Sequence, residues 1–240
     1  MRFYTMPAGA AKRGRIAAWL VHVYTGTGAV IALAGADAVL DGNARLAFAA
    51  MFLATVVDAT DGVLARRAQV KRVLPDIDGA RIDDLVDYIT FVFLPMMIVL
   101  RFDMLPRPLA MPIGGLVMLC SLFGFVAPDA KTVDYFFIGF PSYWNIVVLY
   151  LYVMEVPQGA AAAILAALCA LIFVRTGYVY PSRTPVFMRT TLVLGALWGV
   201  AIAAMIWRLP QRSAALTIVS FVFPVYYFVL SLWLQFRRTA

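Results

Sequence analysis

Apolar residues fill the chain in long blocks, broken at short intervals by clusters of charged residues, Pro and Gly. A helix that crosses a bilayer needs about 20 mostly apolar residues. On that measure the blocks predict about eight transmembrane helices, at 16–40, 44–66, 83–100, 107–127, 141–155, 158–174, 188–207 and 214–235. The fifth is short for a span. The stretches between blocks reach only about a dozen residues, which leaves no room for a soluble domain. The pattern therefore predicts an all-α fold, a polytopic integral membrane helical bundle forming one domain over 1–240.

Composition agrees. The 240 residues are 63% hydrophobic and 14% charged, with a mean hydropathy of +0.86. A soluble domain is roughly half apolar and about a quarter charged. A disordered chain, a collagen, a coiled coil and a soluble α/β enzyme are all excluded. Cys120 and Cys169 fall inside apolar runs and read as packed free thiols rather than a disulfide framework. Beyond an Ala-rich patch at 160–167 there is no low-complexity segment and no internal repeat.

The net charge of +7 reads as loop charge and contact with anionic lipid rather than nucleic-acid binding. With eight spans both termini share a side. That side carries Arg2, Lys12, Arg13, Arg15, Arg66, Arg67, Lys71, Arg72, Arg81, Lys131, Arg175, Arg183, Arg189, Arg237 and Arg238. The other carries Arg45, Arg101, Arg107, Arg208 and Arg212. Fifteen against five places both termini, and the basic segment 1–15, in the cytoplasm. Ala34-Gly35-Ala36 looks like a signal-peptide cleavage site, but the apolar stretch before it is long and holds His22 and Thr25. It is read as an uncleaved first span.

Seven of the thirteen acidic residues lie between 58 and 87. Charges in or beside apolar spans are costly and by default mark function. Asp58 and Asp61 are three apart at the end of the second span, with Gly62 and Ala65 continuing their face. Gly79, Asp83 and Asp87 step by four at the start of the third. Two adjacent antiparallel helices can thus aim four carboxylates at one pocket. Such crowding calls for cations between them. All-oxygen ligation suits Mg²⁺ or Mn²⁺; Zn²⁺ would recruit His or Cys. Asp76, Asp78 and Asp84 read as solvated loop charges.

As a string the region is Asp58-x2-Asp61-Gly62-x2-Ala65-Arg66-x12-Gly79-x3-Asp83-x3-Asp87. It resembles the signature of the CDP-alcohol phosphotransferases, membrane enzymes that build phospholipids from CDP-activated precursors. The family's usual gap between the Arg and the second Gly is eight residues; here it is twelve. That longer gap resembles the bacterial phosphatidylcholine synthase branch, as do 18–25, 74–84 and 140–145. The resemblance implies a metal-dependent reaction in the bacterial inner membrane, near its cytoplasmic face. CDP-diacylglycerol and choline would give phosphatidylcholine and CMP. It implies one or two divalent ions, Mn²⁺ or Mg²⁺, among Asp58, Asp61, Asp83 and Asp87, with Asp87 as general base. It implies a nucleotide and diphosphate pocket from Asp61, Gly62, Ala65, Arg66 and Gly79. Phosphoryl transfer depends on positioning and charge neutralisation, which suits this set. Arg66 offers the bidentate phosphate contact that lysine does not.

Choline carries a quaternary ammonium, which aromatic faces attract. Candidate contacts are Tyr88, Tyr143, Trp144, Tyr178 and Tyr180, against the alternative of an interfacial aromatic belt. Asn145, at the mouth of the fifth span, serves the substrate or a neighbouring helix. Arg175, Arg183 and Arg189 flank a Pro-containing turn and serve either lipid phosphate or membrane orientation. Thr25 and Thr27 either face the nucleotide or bond the preceding turn, His22 reads as an interhelical packing residue, and Glu155 as a span terminus. Two other readings stay open. One changes only the acceptor, to serine, inositol, glycerol phosphate or a diacylglycerol. The other is a cation transporter, which would place its carboxylates nearer the bilayer midplane. A homodimer also stays open.

Overall fold

The computed structural model describes residues 8–127, 132 and 134–239, with side chains from Gly14 to Arg237 within those ranges. Arg2 and Lys131, and the side chains of Lys12, Arg13 and Arg238, counted above as cytoplasmic charges, lie outside the described residues. The elements in chain order are α1 (Ala8–Leu40), α2 (Ala44–Arg67), α3 (Val70–Val73), α4 (Gly79–Asp87), a π-helical turn (Tyr88–Phe93), α5 (Leu94–Arg101), α6 (Arg107–Val126), β1 (Phe136–Ile138), α7 (Trp144–Val153), α8 (Gln158–Ile172), β2 (Gly177–Val179), α9 (Met188–Arg208), α10 (Ala214–Ser220) and α11 (Val222–Thr239).

The fold is an all-α membrane bundle. Among the described residues five helical stretches are long and apolar enough to cross a bilayer: Gly14–Leu40, Ala44–Arg67, Arg107–Val126, Met188–Arg208 and Ala214–Arg237. Two more apolar helices are shorter, Trp144–Val153 and Gln158–Ile172. At ten residues α7 rises about 15 Å, half the ~30 Å hydrocarbon core. Phe140-Pro141-Ser142, with Ser142 at a φ of 55°, precedes it, and Pro157 stands just before α8. Both ends of the predicted 141–155 span are thus spent on turns.

The predicted third span also differs from a simple helix. It starts at Gly79 and widens to a π turn directly after Asp87. Leu94 N–H reaches back to the Ile89 carbonyl, five residues earlier. Pro95 follows, and its ring would clash with the carbonyl four residues back, at Phe91, in a regular α-helix. The wider turn relieves that clash and shifts the helical phase between the aspartates above and α5 below.

α1 lies along α2 and also packs on α4 and α5. Its glycines make the approach close. A Cβ at Gly28 would stand 2.5 Å from Val86 Cγ1. The core runs from Phe48 and Met51 through Val92, Leu94 and Ile98 to Trp144, Val148 and Leu165. Cys120 and Cys169 are buried and free, as the apolar runs predict.

The connection between α2 and α4 is more than a turn: it holds the single helical turn α3, which with Leu74 docks on α1 through a small cluster of Val70, Leu74 and Ala18. A second departure is a short antiparallel ribbon, in which Phe136, Phe137 and Ile138 pair with Val179, Tyr178 and Gly177. Its outer edge faces α11. Gly177 N donates to Gln235 Oε1 (3.0 Å), Val179 N to Ser231 Oγ (3.1 Å), and Tyr227 Oη to the Val179 carbonyl (3.0 Å).

Candidate active site

The third segment begins with a cap. Asp78 accepts from Ala80 N (3.1 Å) and Arg81 N (3.3 Å) and pairs with Arg81. Asp78 thus starts the helix that carries Asp83 and Asp87, a stronger role than a solvated loop charge. From α2, Asp58 faces that helix. One carboxylate oxygen from each of Asp58, Asp83 and Asp87 lies within 4.8 Å of the others, and all three residues are half-buried. Three anionic oxygens at that spacing, with no His or Cys in the set, form a donor group that fits a hard divalent cation.

Asp61, the fourth expected ligand, stands outside that trio. It is buried, and its Oδ2 accepts from Thr25 Oγ1 at 2.8 Å. Thr25 also reaches the Val21 carbonyl at 3.3 Å. α1 therefore supplies a partner for the motif that nothing in the motif's spacing reveals. The available signal was a pair of polar residues, His22 and Thr25, on one face of an apolar helix.

His22 is the other member of that pair. It is buried, and among the described residues its Nε2 has no hydrogen-bond partner. Its ring lies against Gly79, where an added Cβ would come within 2.8 Å of His22 Cε1. Here the glycine is required by close approach of α1. Gly62 leaves room for all but the Arg66 guanidinium, 3.3 Å from where a Cβ would stand. Arg66 is exposed, and Ala65 packs beside the Ala18 cluster.

The aromatic and polar candidates divide. Trp144 is fully buried and donates from Nε1 to Ser121 Oγ (2.7 Å), so it anchors α7 on α6. Tyr88 donates to the Met118 carbonyl (3.0 Å), also on α6. Asn145 is buried and donates from Nδ2 to Thr55 Oγ1 (3.0 Å), one turn before Asp58, while its Oδ1 lacks a partner among the described residues. Tyr178 lies on β2 in a cluster with Phe136, Tyr227 and Leu230, and burial pushes its phenol above the ordinary range. Tyr143 lies at the mouth of α7, half-buried, and its ring meets that of Tyr227 edge-on at 6.2 Å. Tyr180 stacks on Phe137 at 4.6 Å. The Arg183 guanidinium sits over Tyr135 (5.4 Å) and Tyr180 (6.0 Å), with its Nε buried and unpartnered among the described residues. Glu155 forms an ion pair with Arg212, away from these groups.

No protein-family model matches the chain. Curated relatives do. A phosphatidylcholine synthase of Legionella pneumophila is 35% identical over 230 residues, 93% of this chain and 89% of its own. One from Pseudomonas aeruginosa is 32% identical over 221 residues, 92% of this chain and 93% of its own. One from Rhizobium johnstonii is 30% identical over 222 residues, covering 91% and 90%. Similarity at this level along nearly the whole of both chains, joined to a carboxylate trio at the expected helical positions, has one consequence: the chain belongs to the phosphatidylcholine synthase family.

Proposed function

We propose that this protein transfers the phosphatidyl group of CDP-diacylglycerol to choline, releasing CMP and leaving phosphatidylcholine in a bacterial membrane. The observation that carries the reading is the convergence of Asp58, Asp83 and Asp87. Asp58, Asp83 and Asp87 would hold a divalent ion, with Asp61 beside them. Such an ion supplies charge neutralisation for the diphosphate and for CMP as it departs. Asp87 takes the proton from the choline hydroxyl as that oxygen attacks the phosphorus of the phosphatidyl group. The bond from that phosphorus to the CMP oxygen breaks, and CMP leaves with the electron pair. Arg66 orients the diphosphate through paired N–H donors. Gly62, Ala65 and Gly79 leave space for the nucleotide along α2 and α4.

The same reading makes residues 1–240 one catalytic domain of eight spans. Its termini and site are at the cytoplasmic face of the inner membrane, as the fifteen-to-five distribution of Lys and Arg supports. The test is purified protein in detergent with CDP-diacylglycerol, a divalent metal and each candidate alcohol in turn, following CMP release. Choline-dependent CMP release that stops in excess chelator is the expected result. Release with serine, inositol or glycerol phosphate but not with choline sinks the choline assignment. Full turnover in chelator sinks the metal.

A further inference from the structure

The chain between β2 and α9 makes a tight turn around Arg183. Arg183 N and Thr184 N both donate to the Tyr180 carbonyl, each at 2.9 Å. The buried Thr184 hydroxyl accepts from Tyr180 N (3.0 Å) and donates to the Tyr135 carbonyl (2.7 Å). Tyr135, just before β1, is thereby clipped to the turn. The two tyrosines frame the guanidinium, whose carbon lies 5.4 Å from the Tyr135 ring and 6.0 Å from the Tyr180 ring. Tyr180 is steadied in turn by its stack on Phe137.

Aromatic faces attract the charge but are poor acceptors for its N–H groups. Arg183 is half-buried, its Nε is fully so, and among the described residues that Nε meets no acceptor. Among the same residues no carboxylate forms an ion pair with it. A buried donor left without an acceptor is costly. A planar fork held in place with a donor unmet fits the paired oxygens of a phosphate. Position indicates whose phosphate. α9 begins a few residues later and is long enough to cross a bilayer, so Arg183 stands at a membrane face. At the same level Phe187 meets Trp233 at 6.3 Å, and the Arg237 guanidinium lies 4.2 Å over Trp233. Exposed aromatic side chains of this kind mark the headgroup level. Below them Val193, Leu197 and Val200 are exposed on one face of α9, an apolar path for acyl chains.

We propose that Arg183, framed by Tyr135 and Tyr180, binds the phosphate of an anionic membrane phospholipid, at a site that the transfer reaction does not use. An anionic lipid suits it better than a zwitterionic one, whose own cation competes with the guanidinium for the phosphate. The Thr184 clip and the Tyr180–Phe137 stack tie the turn to β1. A bound lipid therefore steadies the ribbon as well as the turn.

The experiment titrates the purified full chain, stripped of lipid in detergent, with phosphatidylglycerol. Native mass spectrometry counts bound lipid, and the thermal midpoint is followed alongside. Wild type should hold one phosphatidylglycerol more tightly than phosphatidylcholine and rise in midpoint as it binds. Arg183→Gln should bind that lipid about 10- to 100-fold more weakly, the range for losing a charged hydrogen-bonding partner. Arg183→Lys keeps the charge without the fork and should fall between the two. It also carries the test if glutamine disturbs the turn. Equal phosphatidylglycerol affinity in all three proteins overturns the proposal. Displacement of the lipid by millimolar inorganic phosphate gives the site to a free anion, and one-for-one displacement by CDP-diacylglycerol gives it to the substrate; either result also overturns the proposal. No arm uses turnover, so the outcome is independent of whether choline is the acceptor.

Discussion

Thr25 and Asp61 are 36 residues apart and joined by a 2.8 Å hydrogen bond, hydroxyl to carboxylate, between the first and second helices. A buried carboxylate that loses a donor bears the full cost of its desolvation, about 1–3 kcal/mol. Thr25→Val keeps the shape and removes the donor. It should lower the thermal midpoint and weaken CMP binding, and Thr25→Ser should restore both. A valine variant that binds CMP like wild type would show that this bond plays no part in shaping the nucleotide pocket.

Asp87 and Asp61 should separate in their effects. A base acts mainly on the chemical step. Asp87→Asn should retain most CDP-diacylglycerol binding and lose at least 100-fold in kcat, a loss typical for a general base. Asp61→Asn should lose nucleotide and metal binding as well. Binding by calorimetry beside CMP release makes the comparison. Identical binding defects in the two variants, or near-normal turnover in Asp87→Asn, contradict the assigned roles.

Gly79 and His22 make a size-matched pair. Gly79→Ala puts a methyl group 2.8 Å from His22 Cε1, an overpacking that costs about 1–3 kcal/mol. It should lower the thermal midpoint. His22→Ala in the same chain should recover much of that loss, a coupling read by a double-mutant cycle. Additive effects would mean that the two side chains do not share this space.

The longer gap between Arg66 and Gly79 admits a competition. If the segment shapes the acceptor's entrance, shortening it by four residues should raise the KM for choline more than for CDP-diacylglycerol. The fold adds a different demand, because Val70 and Leu74 are buried against Ala18. Leu74→Ala should cost about 2–5 kcal/mol if the cluster behaves as core. Shortening should therefore destabilise the protein measurably, and its kinetic effect is to be compared with that of Leu74→Ala. Shortened protein with an unchanged midpoint would remove the packing role.

What could be read from the sequence follows from range. Asp58 and Asp61, and Gly79, Asp83 and Asp87, share faces because helical geometry fixes neighbours three and four apart. The meeting of those two faces follows from a short connection. Thr25 on Asp61 and His22 on Gly79 depend on how α1 crosses the pair, and no local spacing encodes that crossing. The π turn is traceable in hindsight to Pro95, but a proline within a span more often kinks or ends a helix. Three-residue strands are too short to show alternation, and β1 and β2 have some forty residues between them. Trp144 and Tyr88, plausible from type alone, each bond to α6, a partnership that composition cannot signal.

The ribbon edge against α11 is a case of matched pitch. Tyr227, Ser231 and Gln235 recur every fourth residue, which advances about 6 Å along a helix. Alternate residues of a strand advance about 6.6 Å. The two rulers agree closely enough over one repeat for the helix to stand in for a missing third strand, meeting Gly177 and Val179 with side chains instead of backbone. The agreement fails if α11 slides by one residue or rotates by one position, since all three bonds are lost together. The last helix is therefore indexed to the ribbon like a key to its wards, and the ring of Tyr227 takes its place between Tyr143 and Tyr178 from that fit.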